Sequence, residues 1–199
     1  NGTVSDGKLI VGKSGRAYYT VTDNIFTNAG WYDYDLECDF GVTAKALGFS
    51  FYTDNAENNC YMWQVRADRN VLCPHVFVNG VANVDTSADG SADVSLGKAG
   101  VTVGLNETHK LKLSLRGKVV TTYIDGVQVD TREMGEYSSG SIGFRCGGSE
   151  SGWVDNVKVT NKYGTVVYSD DFESGKNDYT SGTVTGGKLV INLDNKAYY

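Results

Sequence analysis

The sequence has little of what several classes of protein require. No apolar run approaches the roughly 20 residues of a membrane-spanning helix. No basic stripe accompanies the net charge of −6, which argues against nucleic acid as a partner. The four cysteines and two histidines lack the close pairs of a zinc site. There is one proline, and no segment keeps a period of about 3.6 residues, so we expect no helices.

What is present is a period of two. Residues 109–116 alternate strictly between polar and apolar side chains, and 119–124 and 127–130 follow after short turns. Asp125-Gly126 is a typical two-residue hairpin turn, so these segments predict a three-stranded meander. About a dozen such strands without helices need two sheets to bury their apolar faces. The sequence therefore predicts an all-β fold, a two-sheet antiparallel β-sandwich.

The chain also repeats itself. Residues 2–19 align without a gap to 182–199, and nine of the eighteen pairs are identical. We predict a sandwich module over residues 1–168, with 169–199 as the start of a second copy. Two interpretations remain open. The chain is either cut off-register from a tandem array, or its second hairpin is exchanged with a neighbouring chain, which would be self-association.

The cysteines allow two arrangements. Alternation along their strands turns Cys38 and Cys146 inward, where either a disulfide or two buried free thiols fit. Cys60 and Cys73 flank a predicted hairpin and form the other natural pair.

Several segments carry a family resemblance. Gly140-Ser-Ile-Gly-Phe-Arg145 and Trp153-Val-Asp-Asn-Val-Lys-Val159, together with the meander, resemble the concanavalin A-like (laminin-G-like) jelly-roll sandwiches over about residues 30–160. That resemblance implies the fold. The same fold occurs in lectins, carbohydrate-binding modules and glycoside hydrolases.

Residues 48–80 resemble a narrower group, the family 67 carbohydrate-binding modules attached to bacterial alpha-L-rhamnosidases. The similarity lies in the Asp-Asn pair that ends a strand and in the later Leu-Cys-Pro-His segment. It implies a calcium ion whose shell is completed by sugar hydroxyls. Position by position, the implied calcium ligands are Asp54, Asn55, Asn70 and the main-chain carbonyl of Pro74. Cys60 and Cys73 depart from the family pattern beside this site.

The residue chemistry agrees with that expectation, because calcium accepts carboxylate, amide and main-chain oxygens. Trp63 or Tyr61 would stack on a sugar face, and His75 is a further candidate ligand residue. Each has a plainer interpretation. An Asp-Asn pair is typical of a polar turn, Trp63 of a core residue, and His75 of a partly buried strand residue.

A second cation site is predicted near the end of the chain. Residues 169–175 and 154–157 look like the first and last strands of jelly-roll binding modules, where acids share a structural calcium. The matching residues are Asp155, Asp171 and Glu173. The alternative is three solvated acids at a strand entry.

Catalysis is the competing class. Retaining glycosidases place two carboxyl groups about 5 Å apart, and Asp35, Glu37 and Asp39 alternate along one strand. Tyr34 and its apolar neighbours claim the inner face of that strand, which leaves the acids outside. No Gly-x-Ser-x-Gly or His-Glu-x-x-His motif occurs.

The sequence therefore predicts a non-catalytic, calcium-assisted carbohydrate-binding module, secreted or on a cell surface. Its ligand is expected to be a plant or microbial glycan, with an L-rhamnose-like sugar implied by the resemblance. Two alternatives remain, a structural repeat of a tandem surface adhesin or fibre with strand exchange, and a glycoside hydrolase domain.

Overall fold

The computed structural model describes residues 2–13, 31–54, 59–81 and 93–175 in full, and the backbone alone of 16–18, 82–83, 183–185 and 188–190. Within these residues the chain forms strands and one short 3₁₀ helix, Leu96–Ala99, but no α-helix. The strands are β1 (Thr3–Ser5), β2 (Lys8–Val11), β3 (Arg16–Tyr18), β4 (Tyr34–Ala44), β5 (Ala46–Thr53), β6 (Cys60–Arg66), β7 (Val71–Val78), β8 (Val81–Asn83), β9 (Val94–Ser95), β10 (His109–Arg116), β11 (Val119–Ile124), β12 (Val127–Glu133), β13 (Ser141–Arg145), β14 (Ser151–Asn161), β15 (Val166–Asp170), β16 (Thr183–Thr185) and β17 (Lys188–Val190).

The strands build two large antiparallel sheets. The first has the order β1-β2-β14-β4-β10-β11-β12, and β15 also pairs with β14. The second has the order β3-β13-β5-β6-β7-β8, and β9 also pairs with β7. The predicted all-β, two-sheet antiparallel sandwich is confirmed. No helix among the described residues is long and apolar enough to cross a membrane.

The core lies between the two sheets because each strand alternates its side chains. Along β4 the inward residues are buried and the outward ones only partly so. Phe40 of the first sheet meets Phe49 of the second edge to face, with ring centroids 5.1 Å apart. The indole nitrogen of Trp63 donates to Thr122 Oγ1 at 3.0 Å, which satisfies a polar group inside the core.

The meander formed by β10, β11 and β12 is the clearest local prediction, and it is confirmed. β10 and β11 pair from Leu111 with Ile124 to Arg116 with Val119. Asp125 and Gly126 both have positive φ, 52° and 80°, as a type I′ hairpin turn requires. This turn sets the pairing of Ile124 with Val127 and of Tyr123 with Gln128, and an irregularity between Thr122 and Tyr123 then shifts the register of β11 and β12.

In the structure all four cysteines are buried and none forms a disulfide, which for Cys38 and Cys146 is one of the two arrangements that the sequence left open. The register of β6 and β7 places Cys60 opposite Phe77 and Cys73 opposite Gln64. The two cysteines are thus four residue positions apart along neighbouring strands, about 13 Å. A disulfide needs Cα atoms within about 7 Å, so the natural-looking pair cannot form.

Candidate functional site

Asp54, the first predicted calcium ligand, belongs to a local turn network. Its backbone N–H donates to the Asn59 carbonyl at 3.0 Å, and Asn59 Nδ2 donates to its carboxylate at 2.6 Å. Asn59 Oδ1 in turn accepts from the Asn79 backbone at 2.9 Å. Asn55, the second predicted ligand, lies outside the described residues. The Asp54 carboxylate therefore helps to close the end of the β5–β6 hairpin.

Asn70, the third predicted ligand, lies at the opposite end of the sheet. β5 and β6 pair from Ala46 with Arg66 to Phe51 with Tyr61, so Asp54 and Asn70 follow opposite ends of this ladder. The intervening length is more than about 20 Å. The side chain of Asn70 donates to the Val101 carbonyl and accepts from the Val103 backbone, both at 3.0 Å. Its role is to tie the 96–103 segment to the β6–β7 turn.

Three further residues of the predicted ligand set, Pro74, Trp63 and Tyr61, face the core. Pro74 is buried opposite Trp63, and both Trp63 and Tyr61 are fully buried. The Tyr61 hydroxyl accepts two backbone hydrogen bonds, from Glu136 at 2.6 Å and Tyr137 at 2.8 Å. Neither aromatic ring is available to stack on a ligand. The strand register therefore does not bring Asp54, Asn70 and Pro74 together, and the calcium shell expected from the sequence stays a prediction.

The second predicted cation site is only partly assembled. Burial raises the pKa of Asp155, and the negative charges of Asp39 and Glu173 add to the effect. The Asp171 carboxylate instead accepts the Glu173 backbone N–H at 3.2 Å. In the part of the chain that the structure describes, no three His, Cys, Asp or Glu side chains are grouped to hold a metal. A structural calcium beside Asp155 and Glu173 stays a prediction.

The solvent-facing side of the first sheet bears a large groove of about 1160 Å³. The acidic side chains of β4 that line it form ion pairs with neighbouring cations. Asp35 contacts Lys112 Nζ at 2.8 Å and Arg116 Nη2 at 2.9 Å. Glu37 pairs with Lys158 at 2.8 Å. Burial alone would raise the pKa of Asp35, but hydrogen bonds from Lys112 and Ser114 hold it below its usual value. Asp35 therefore stays ionised near neutral pH, and both Asp35 and Glu37 are paired with cations on neighbouring strands.

The outer face of the second sheet is different. Here two transverse rows of side chains cross the strands β13, β5, β6 and β7, and we call these two rows the outer face. The first row is Gly143, Ser50, Met62 and His75. The second row is Arg145, Gly48, Gln64 and Cys73. Four strands at about 4.8 Å spacing make each row about 14 Å long.

Polar atoms on the outer face lack partners. Ser50 Oγ and both ring nitrogens of His75 are buried and make no hydrogen bond. Buried polar atoms in proteins are almost always paired, and each unpaired one costs about 1–3 kcal/mol. In the neighbouring row, Gln64 Nε2 donates to Glu150 Oε1 at 3.0 Å. A ligand with hydroxyl groups would recover these lost hydrogen bonds on reaching them, but in the structure Ser50 is fully buried and His75 partly so.

Arg145 lies across this face. Its guanidinium stands over the Phe77 ring, 4.5 Å from the centroid, so the side chain reaches from β13 toward β7. The Met62 side chain packs over Gly48, where a Cβ would overlap its sulfur. Burial, together with the positive charge of Arg145, lowers the pKa of His75 to about 4. His75 is therefore neutral near pH 7 and offers one donor and one acceptor.

A separate cavity of about 490 Å³ lies at one end of the sandwich. Tyr32 and Tyr163, 58% and 82% exposed, contribute to its wall. The ion pair of Lys162 with Asp33, 3.1 Å, contributes the polar part. An exposed aromatic beside charged groups is a common arrangement for binding polar ligands. This cavity is the main alternative to the outer face.

The sequence predicted His75 as a candidate ligand residue, but not Ser50, Gln64 or Arg145, which lie on the same face. All eight residues of β5 are buried, so the burial pattern does not tell its two faces apart. Only the pairing of Ser50 with Gly143 and with Met62 shows which residues meet on one surface. Only the Pro74-His75 segment pointed to this face from the sequence, because His75 directly follows Pro74, which lies in the core.

Comparison with known proteins gives matches at the level of structure. A carbohydrate-binding module, CBM66 from Bacillus subtilis, has a TM-score of 0.54 and 21% identity, covering 78% of this chain and 83% of that one. A variant of human galectin-16 has a TM-score of 0.50 and 11% identity, covering 67% and 91%. A sialidase has a TM-score of 0.51 and 13% identity, covering 78% of this chain and 15% of that one.

No protein-family model and no curated protein sequence matches the chain. At these identities the structural similarity shows the fold alone, a two-sheet jelly-roll sandwich. The predicted jelly-roll fold is confirmed. The resemblance to the rhamnosidase-attached modules of family 67 stays a prediction.

Proposed function

We propose that the protein is a non-catalytic carbohydrate-binding module, and that it binds its glycan on the outer face around His75. The observation that carries this proposal is the group of unpaired polar atoms, Ser50 Oγ and the two nitrogens of His75. Sugar hydroxyls both donate and accept, so they complement a neutral imidazole and a serine hydroxyl. Phe77 and Met62 form a small buried apolar cluster with Cys60 beside these atoms.

The similar structures support this class of ligand. One is a carbohydrate-binding module and another is a galectin. A sialidase is also among them, so a hydrolase remains the alternative. Against it, the outward acids of β4 are held by cations, and the pKa values of Asp35 and Asp39 are lowered. A general acid needs the opposite, a carboxyl whose pKa is raised.

The test is a glycan array with neutral and uronic-acid glycans, followed by affinity measurements on variants. His75→Phe keeps a ring of similar size and removes both nitrogens, so we expect affinity to fall at least tenfold, about 1.4 kcal/mol. Tyr163→Ala and Asp54→Ala are matched controls outside the outer face, and both are expected to bind normally. Full affinity in folded His75→Phe would exclude this face, and loss in Tyr163→Ala would move the site to the end cavity.

The array also separates the finer predictions. Repeating it with a chelator tests the calcium dependence expected from the sequence, and binding to rhamnose-containing glycans tests the expected sugar. Calcium-independent binding that still requires His75 would contradict the calcium prediction and leave the outer face intact. Release of reducing ends from a bound glycan would favour the hydrolase alternative.

A further inference from the structure

The repeated segment folds in the same way in both places. In the first copy Thr3 pairs with Ile10, Val4 with Leu9 and Ser5 with Lys8. In the second copy the pairs are Thr183 with Val190, Val184 with Leu189 and Thr185 with Lys188. Every partner is shifted by 180 positions. The sequence repeat is therefore also a repeat of hairpin register.

The identical positions are those that hold β1–β2 in the sandwich. Val4 and Leu9 are fully buried, and Lys8 Nζ stands 4.0 Å from the Trp153 ring centroid. Gly2 is buried, and Gly7 has a φ of 71° beside the Glu173 carboxylate, where a Cβ would overlap it. The same five residue types recur as Gly182, Val184, Gly187, Lys188 and Leu189.

Most differences between the copies fall elsewhere. Asp6 and Lys13 are exposed in the first hairpin, and their counterparts are Gly186 and Leu193. Buried Val11 is replaced conservatively by Ile191. The pattern is that of a surface kept for one docking partner while the solvent side changes. That partner is the edge of β14.

The described residues contain one edge of β14 that seats a hairpin. β2 pairs with Gly152–Val154 of β14, and β15 pairs with the following stretch from Val157. β16–β17 forms a two-stranded sheet of its own, with its backbone within 8 Å of β1. A lone hairpin is at best marginally stable in water. The described residues therefore include two hairpins of one design and one β14 edge on which such a hairpin is seated.

We propose that β16–β17 is a donor hairpin that completes a second copy of this chain. It takes the place of β1–β2 against β14 wherever that place is vacant, and the donor keeps its own β1–β2 seated. Exchange between two complete chains gains nothing, because each site is already filled by an equivalent hairpin. Binding is driven only when the acceptor lacks a competent hairpin.

The test mixes full-length chains. The acceptor is Leu9→Asp/Leu189→Asp, in which a carboxylate replaces the fully buried Leu9 and its sequence counterpart Leu189. The donor is the wild-type chain. We expect a 1:1 complex in light scattering and a melting temperature for the acceptor at least about 5 °C higher than alone. A Leu189→Asp donor must fail to bind. A Val190→Asp donor, changed at the position equivalent to half-buried Ile10, must still bind.

A single variant keeps the proposal testable if the acceptor does not fold. Leu9→Asp alone retains one competent hairpin per chain, so we expect it to fold as a dimer at micromolar concentration. A monomer of near wild-type stability would mean that the hairpin fills its own chain's site, which overturns the proposal. An unfolded Leu9→Asp chain would overturn it as well, because the spare hairpin was present and did not bind.

Discussion

His75 combines a structural cost with the binding role that we propose for it. Folding removes both of its nitrogens from water and gives them no partner. The ring is therefore held neutral, with burial as the main cause and Arg145 as an added one. Neutrality is what lets the ring accept as well as donate a hydrogen bond. The unpaired nitrogens of His75 thus destabilise the protein without ligand. Under the proposed function, a hydroxyl-rich ligand would supply their missing hydrogen bonds.

This environment predicts a specific pH dependence of stability. The pKa of His75 is about 4 in the folded chain against 6.5 for the unperturbed side chain. The unfolded state therefore binds the proton first, and stability falls as the pH drops from above 6.5 toward 4. Across that window the difference in unfolding free energy between wild type and His75→Gln should change by about 3 kcal/mol. Urea unfolding at pH 7 and pH 4 measures it, and parallel curves for the two proteins would contradict the prediction.

At the scale of the element, the start of β13 depends on how closely the backbone approaches Gly140, the residue that precedes the strand. Gly140 has a φ of 143° and exchanges backbone hydrogen bonds with Trp31, at 3.1 and 3.2 Å. A Cβ at this position would overlap the backbone of Tyr52 and Thr53. The glycine therefore sets where β13 joins β5, and that junction positions Gly143 and Arg145 on the outer face.

Gly140→Ala is expected to destabilise the protein by about 3 kcal/mol or more, because backbone atoms cannot move aside as a flexible side chain can. Gly126→Ala is the matched control. Gly126 also has positive φ, 80°, but nothing lies within 4 Å of an added Cβ, so about 1 kcal/mol is expected. Thermal or urea unfolding of both variants decides the matter. Equal losses would show that backbone strain alone, without the clash, explains the Gly140 effect.

At the scale of the whole molecule, the sandwich is held by packing without covalent cross-links. Cys38 and Cys146 lie on inward positions, as expected, and remain free thiols. Cys146 Sγ donates to the Val11 carbonyl at 3.0 Å, which accounts for its proton. Burial raises the pKa of Cys73 to about 12, so its thiol resists deprotonation near neutral pH.

We therefore expect reducing agents to leave the melting temperature unchanged. In denaturant, all four cysteines should take up an alkylating reagent without prior reduction, whereas the native chain should react slowly. Mass spectrometry before and after reduction measures this. A chain that gains alkylation only after reduction contains a disulfide, and the free-thiol arrangement would then be wrong.

The sequence by itself determined the sandwich, the meander and the repeated hairpin, because these depend on local signals. Alternation fixes which side of β4 or β10 is buried, and Asp125-Gly126 fixes a turn from two adjacent residues. The proposed binding surface, the outer face, depends on the register between strands that are distant in sequence. No local pattern specifies that register. That register separated Asp54 from Asn70, placed Trp63 and Tyr61 in the core, and brought Ser50 and His75 onto the row they share. Only the tertiary structure could decide those positions, since one face of a doubly buried strand looks like the other in sequence.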